Sequence, residues 1–330
     1  MKKKILITGA SGFVGSHLAQ AAADAGHEVH AAVRKSSDLT AIKSCVRQFV
    51  YPNFDDMEEL RNFFDTQRYD YVIHAAALTK AKSEKEMYAV NVGVTERLLH
   101  GAFHSVAPPQ RFVFVSSLAA IGPVAYDAEI TDEAPYSPIT RYGRSKQAAE
   151  EMIKSKFSDK PITVVRPTAV YGPREKDLFI LFRTMDKGLD AYIGRAPQKL
   201  SFVYVKDLAG LLLNACVAPQ HGLTFFNITD GQTYSRYAMA DIFKETFAKK
   251  LFRIHVSVGM VSKLAKLAQW LYRNSKQTPV IYPERIGELT AQNWSCDIAR
   301  AKDILHYKPK YNLASGLRES LLWYKQNKWF

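Results

Sequence analysis

Apolar residues in the first half of the chain gather in short runs separated by stretches of helical periodicity, repeating every 20–40 residues or so, about the length of one strand–helix unit. Runs at 2–8, 28–33, 48–51, 71–75, 111–116 and 162–166 read as buried strands. Helical patterns lie between them at 13–25, 56–66, 84–104 and 141–157. Strands that alternate with helices in this way form βαβ units, so the pattern predicts a parallel sheet covered on both faces. The punctuation agrees. Gly26 ends the first helix, Pro123, Pro135 and Pro138 mark a polar loop before helix 141–157, and Pro167 closes the sixth strand.

Beyond Tyr171-Gly172-Pro173 the rhythm changes. A helix near 177–187, a strand at 200–205, a helix at 207–218 and a strand at 224–228 are followed by a mostly helical remainder from 233 to 330. The expected class is α/β: a doubly wound parallel sheet formed by residues 1–172 plus about 202–228, and a smaller, mostly helical C-terminal lobe from 173–201 and 229–330. Within that lobe, helix 260–273 sets Met260, Val261, Leu264, Leu267, Ala268 and Leu271 on one broad face and Lys263, Lys266 and Arg273 opposite. Two readings fit this pattern. The helix packs into the lobe core, or it is a lid or interfacial helix that admits a lipophilic substrate and touches a membrane peripherally. A last helix at about 315–328, with Leu317, Leu321 and Leu322, reads as lobe packing.

Between the first strand and the first helix stand Gly9, Gly12 and Gly15, at three-residue spacing. A glycine turn there lets the backbone approach a pyrophosphate, and the helix N-terminus offers free N–H groups and a partial positive charge. Gly9, Ser11, Gly12, Phe13, Val14 and Gly15 are therefore the expected phosphate-binding residues of a Rossmann-type sheet.

Composition narrows the alternatives. With 330 residues, 47% of them hydrophobic and 23% charged, the chain has ample core for a globular enzyme. No apolar run reaches the ~20 residues of a membrane span, and the Ile-Leu-Ile after the N-terminal lysines is too short for a signal sequence. The net charge of +13 is scattered, without the aromatic or helix-turn-helix patterns of nucleic-acid binders, so it fits an anionic cofactor rather than nucleic acid. Cys45, Cys216 and Cys296 form no CxxC pair, which predicts reduced thiols, no metal site and a cytoplasmic setting.

Tyr142 and Lys146 share one helix face. A nearby ammonium favours the phenolate, and is expected to lower the phenol's pKa toward the range useful for acid–base work. Two further Tyr-x-x-x-Lys pairs, 272/276 and 324/328, have no strand feeding a crevice beside them and read as surface helix residues. Ser116 and Ser117 end the fifth strand, where ligands bind in such sheets. Ser117 is the candidate to hold a substrate oxygen, and Ser116 reads as a cap on the following backbone.

The chain resembles the extended short-chain dehydrogenases/reductases over nearly its whole length. The resemblance rests on the Thr8–Gly15 loop, His74-Ala75-Ala76-Ala77, Asn91-Val92 with Thr95, Val115-Ser116-Ser117 and Tyr142-Gly-Arg-Ser-Lys146. Arg166-Pro167-Thr168, Tyr171-Gly172-Pro173 and Tyr204-Val-Lys-Asp-Leu208 complete it. It implies Ser117 as donor to the substrate oxygen, Tyr142 as acid/base and Lys146 as ligand of the nicotinamide ribose. It also implies Ala75, Ala76 and Ala77 beside the cofactor, Pro167 and Thr168 beside the nicotinamide, and a homodimer built on helices 84–104 and 141–157. Arg34, at the end of the second strand, predicts NADP(H) with NAD(H) as the alternative, because a guanidinium pairs a 2′-phosphate. Asn53-Phe54 stands where the family often has Asp-Leu beside adenine. Residues 199–205 and 282–297 resemble the 3β-hydroxysteroid dehydrogenase/dihydroflavonol reductase branch. The expected activity is hydride transfer between nicotinamide and a secondary alcohol or ketone, with a nucleotide-sugar epimerase or dehydratase as the alternative.

Overall fold

The computed structural model describes residues 2–81, 83–219, 221–272 and 282–330. Seven parallel strands form the central sheet: β1 (Lys4–Thr8), β2 (Glu28–Ala32), β3 (Gln48–Val50), β4 (Tyr71–His74), β5 (Arg111–Val115), β6 (Ile162–Pro167) and β10 (Thr224–Ile228). Their spatial order is β10-β6-β5-β4-β1-β2-β3. The order reverses at β1, and the crevice at the carboxyl ends of the strands opens there. Side-chain alternation drives the layering. Ile5 and Ile7 of β1 face a core with α1 (Phe13–Asp24) and α7 (Val205–Val217). Leu6 faces the opposite core with α2 (Met57–Gln67), α4 (Thr95–Phe103) and α5 (Arg141–Lys156). All six strands expected from the first half of the sequence are present, with ends shifted by one or two residues.

Pairing aligns the strand ends. Thr8 pairs with Ala32 and His74, His74 with Phe114, and Val115 with Val165. The residues that follow each strand therefore emerge along one edge.

The expected helix 84–104 is present over 84–103 but not regular α-helix throughout. It consists of α3 (Glu84–Tyr88), a π-helical turn over Ala89–Val94, and α4. The side-chain amide of Asn91 in that turn exchanges hydrogen bonds with the backbone of Leu78, accepting at 2.7 Å and donating at 2.9 Å. It also donates to Ser145 Oγ at 2.9 Å. Such bulges re-aim one side chain without breaking the helix, and here the helix is pinned to the loop after β4 and to α5.

Outside the main sheet lie two small parallel pairs, β7 (Ala169–Tyr171) with β9 (Phe202–Tyr204), and β8 (Leu189–Ile193) with β11 (Phe252–Val256). The strand expected at 200–205 is thus β9, and it pairs away from the seven-stranded sheet. A third core gathers Tyr171, Phe202 and Tyr204 with α6 (Asp177–Asp186), α8 (Ala238–Phe247) and α12 (Leu313–Gln326). α9 (Val258–Leu271) packs on α10 (Pro283–Thr290), and α11 (Ala299–Ile304) lies under β10. The broad apolar face read for helix 260–273 is not buried as a unit: Val261 and Ala265 are, whereas Met260, Leu264, Leu267 and Leu271 are exposed. Arg273, from the same helix reading, lies outside the described residues. Among the described residues no helix is long and apolar enough to cross a membrane.

Candidate active site

The edge of the sheet assembles the predicted residues from separate parts of the chain. Gly9 follows β1 with φ +71°, in the left-handed region. A side chain there would also meet the Ala76 amide nitrogen at 2.6 Å, so Ala75 and Ala76 after β4 lie directly against the glycine turn. A Cβ on Gly15 would meet the Gly9 carbonyl oxygen at 2.1 Å. Gly12 is the N-cap of α1 and, having no side chain, leaves the first-turn N–H groups uncapped. Ser11 and Gly12 are exposed at the rim, with Phe13 and Val14 half-buried behind them. This cradle exists only because three side chains are missing, and it fits the pyrophosphate of a dinucleotide. Arg34 is exposed just past β2, in a turn closed by Ser37 N–H donating to its carbonyl at 2.9 Å. Asn53 and Phe54 follow β3. The Asn53 side-chain oxygen accepts from Asp55 N–H at 3.1 Å, and the Phe54 carbonyl from Arg97. Ala77 continues the loop after β4 and is exposed.

His74 ends β4, fully buried. Its Nδ1 lies 2.6 Å from Thr8 Oγ1 and its Nε2 3.0 Å from Thr95 Oγ1. Burial, with a smaller contribution from Lys146, lowers its pKa to about 3, so the ring is neutral. It bridges the end of β1 to α4.

Lys146 is buried and donates to the Val115 carbonyl at 2.8 Å, with Nζ 4.6 Å from the centre of the Phe114 ring. Burial lowers its pKa to about 7, against a smaller opposing pull from Glu150. Nζ stands 6.0 Å from the centre of the Tyr142 ring. The phenol of Tyr142 is pushed up to about 12, by burial first and by the Glu288 carboxylate, while a hydrogen bond from Ser117 works the other way. The expected depression of the phenol by its neighbouring lysine is therefore corrected: the ammonium is turned to a backbone carbonyl, and desolvation decides the direction.

Ser117 lies near enough to Tyr142 to draw the phenol's pKa down, and it accepts from Ala119 N–H at 3.2 Å, capping a short 3₁₀ turn over Leu118–Ala120. Ser116 was the expected cap. Instead its hydroxyl donates at 2.5 Å to Glu150, which is held by Arg166 at 2.6 Å. This buried pair joins β6 to α5 and also engages Tyr136.

Ser117 and Thr168 line a cavity of about 310 Å³ together with Pro167. Most of its wall is apolar: Leu178, Leu181, Met185, Leu200, Phe202, Met239, Leu289 and Trp294. Thr168 Oγ1 is buried with no protein partner among the described residues. An orphaned hydroxyl there gives a bound group a hydrogen-bond site. Arg236, Arg285 and Glu288 supply the charges, and Arg285 pairs Glu288 at 3.0 Å. Sequence reasoning missed these three. Glu288 lies 146 positions beyond Tyr142 on α10, and no local spacing announces it. Glu284 on the same helix accepts from Arg141 N–H at 2.9 Å and from Arg144 at 3.2 Å, docking α10 on the start of α5.

Of the other Tyr-x-x-x-Lys pairs, Tyr324 is buried and donates to the carbonyls of Gly172 and Glu175 at 2.9 and 2.8 Å. Tyr272 is exposed, and Lys276 lies outside the described residues.

A family model described as NAD dependent epimerase/dehydratase family matches residues 5–229. The chain is 27% identical over 338 residues to UDP-glucose 4-epimerase of Vibrio cholerae, covering 97% of this chain and 95% of that protein. It is 26% identical over 333 residues to the decarboxylating sterol-4-alpha-carboxylate 3-dehydrogenase of Dictyostelium discoideum, covering 96% and 99%. The solved UDP-glucose 4-epimerase of Thermotoga maritima, with UDP-glucose, superposes with a TM-score of 0.79 at 20% identity over 98% of this chain and 99% of that one. At that identity the superposition speaks for the fold alone.

Proposed function

The chain belongs to the NAD dependent epimerase/dehydratase family, and from that premise we propose that it is a reductase or dehydrogenase acting on an apolar ketone or the corresponding secondary alcohol. The observation that carries this reading is the placing of Ser117, beside Tyr142, in the wall of a mainly apolar cavity. A bound nicotinamide supplies the hydride in reduction and takes it up in oxidation. The substrate oxygen sits between the Ser117 hydroxyl and the Tyr142 phenol. In reduction the phenol gives its proton to that oxygen as the carbonyl becomes an alcohol; in oxidation it takes the proton back. Lys146 spends one N–H on Val115, leaving donors for ribose hydroxyls. Thr168 and Pro167 line the same cavity and would flank a bound nicotinamide, with the Thr168 hydroxyl open to a polar group.

Arg34 supports a preference for NADP(H), since its guanidinium is exposed at the strand end where a 2′-phosphate would lie. A second reading, a nucleotide-sugar epimerase or dehydratase, draws on Arg236 and Arg285, which put two guanidinium groups in the cavity wall, where they could face a diphosphate.

The test is turnover of a panel of hydrophobic ketones and alcohols and of UDP-, GDP- and dTDP-sugars with each nicotinamide. The reading expects reduction of an apolar ketone with added NADPH. Tyr142→Phe should cut kcat by about 10²–10⁴ with dinucleotide affinity unchanged. Arg34→Ala should erase the preference of the Kd for NADPH over NADH. Copurified NAD with sugar turnover and no added cofactor supports the epimerase instead. Full activity of Tyr142→Phe would overturn both.

A further inference from the structure

Among the described residues, α9 carries an uncovered apolar face. α9 is anchored through Val261 and Ala265, 6% and 0% exposed. Beside that packed side, Met260, Leu264, Leu267 and Leu271 are 58%, 57%, 53% and 60% exposed. Positions i, i+4, i+7 and i+11 fall on one line along a helix, so these side chains form a stripe about 16 Å long. Single exposed apolar residues need no explanation, but a continuous stripe marks an interaction surface. Lys263 and Lys266 are exposed along the edge of the stripe farther from the packed side.

We infer that α9 docks the protein on an anionic lipid surface, lying in the interface with its leucines in the acyl boundary and its lysines at the headgroups. Charge supports this occupant. Lysine stems can lie on apolar surface while their ammonium groups reach phosphates. The chain as a whole carries +13, which favours approach to an anionic bilayer. A second copy packed antiparallel, stripe to stripe about a two-fold axis perpendicular to the helices, would bring like charges together, the lysines of both copies at one seam.

One helix separates the docking helix from the cavity. α10, against which α9 packs, contributes Arg285, Glu288 and Leu289 to the cavity wall, and Leu289 is itself exposed. An apolar substrate could then pass from bilayer to cavity along α10 with little exposure to water. This last step rests on the apolar-substrate reading above; the docking does not.

The experiment is co-sedimentation of the full chain with vesicles of phosphatidylcholine alone or with added phosphatidylglycerol. Leu264→Ser/Leu267→Ser and Lys263→Glu/Lys266→Glu change exposed side chains only, and unchanged thermal melts confirm that both variants fold. Wild type should sediment with the anionic vesicles. The serine pair should lower the partition coefficient at least about tenfold. The charge reversal should lower it about 30-fold or more, and added salt should act in the same direction. Equal sedimentation of all three proteins overturns the docking. So does a wild type that ignores anionic vesicles, or a dimer that the serine pair dissolves without any vesicle binding. The readout needs no turnover, so a chain that binds vesicles yet reduces no apolar ketone removes the proposed function and leaves the docking in place.

Discussion

Tyr142 holds its proton up to about pH 12, while Lys146 gives up its charge near pH 7. A phenol pushed upward is suited to giving a proton to a developing alcohol oxygen throughout the neutral range, and poorly suited to taking one. His74 adds a consequence for stability. Its folded pKa of about 3 lies below the ordinary 6.5. Between those values the unfolded chain binds a proton that the folded chain does not, so stability falls as pH falls through this window. From about pH 8 to about pH 5 the histidine alone should remove about 2 kcal/mol. Urea unfolding at both pH values checks this: His74→Gln should lose about 2 kcal/mol less than wild type on acidification, whatever its stability at pH 8. Ser117, Tyr142 and Lys146 were legible as a set because helix spacing and a strand end are local signals. The direction of the phenol's shift was not, because it depends on which acceptor the ammonium finds. That Ser117 rather than Ser116 makes the cap was hidden too, since Ser116 turns to Glu150 arriving from α5.

The glycine turn can be separated from ordinary helix-end glycines by what each would touch. Gly26, after α1, has φ +81° and nothing within 4 Å of an added Cβ, so Gly26→Ala should cost about 1 kcal/mol from backbone strain. Gly15 needs no unusual φ, yet a Cβ there runs into the Gly9 carbonyl carbon and oxygen. Gly15→Ala must push β1 and α1 apart, and should cost over about 2 kcal/mol while abolishing dinucleotide binding. Thermal melts and NADPH titration of the two variants test the contrast; equal losses in both would contradict it. The main-sheet strands were readable because each is a short apolar run between helical stretches. β8 and β7 were not, being defined by partners elsewhere in the chain rather than by their own pattern. β11 was missed despite a signal: Phe252, Ile254 and Val256 alternate with Arg253 and His255.

For the whole molecule, the edge that carries the candidate site belongs to the sheet and most of the cavity wall to later parts of the chain. The two meet where Glu284 binds Arg141 and Arg144. Removing that charge should loosen the α10 wall: Glu284→Gln is expected to raise KM for a bulky ketone about fivefold, with the dinucleotide Kd unchanged. Steady-state kinetics and a binding titration together decide it. The parallel α/β architecture was legible because its rhythm is written along the chain, whereas the cavity was not, since it is made by segments more than a hundred positions apart. Asn293 shows how far that separation reaches. Fully buried, it donates to the carbonyls of Ala125, Tyr126 and Ala128, while Ile130 N–H reaches Ser295 and Asp297 N–H returns to Ile130. On the ribosome, the loop ahead of α5 is made long before the amide that fastens it. At the usual pace of synthesis the wait is on the order of ten to thirty seconds. A nascent chain halted in that interval would already hold at least five strands of its sheet and still lack a closed pocket.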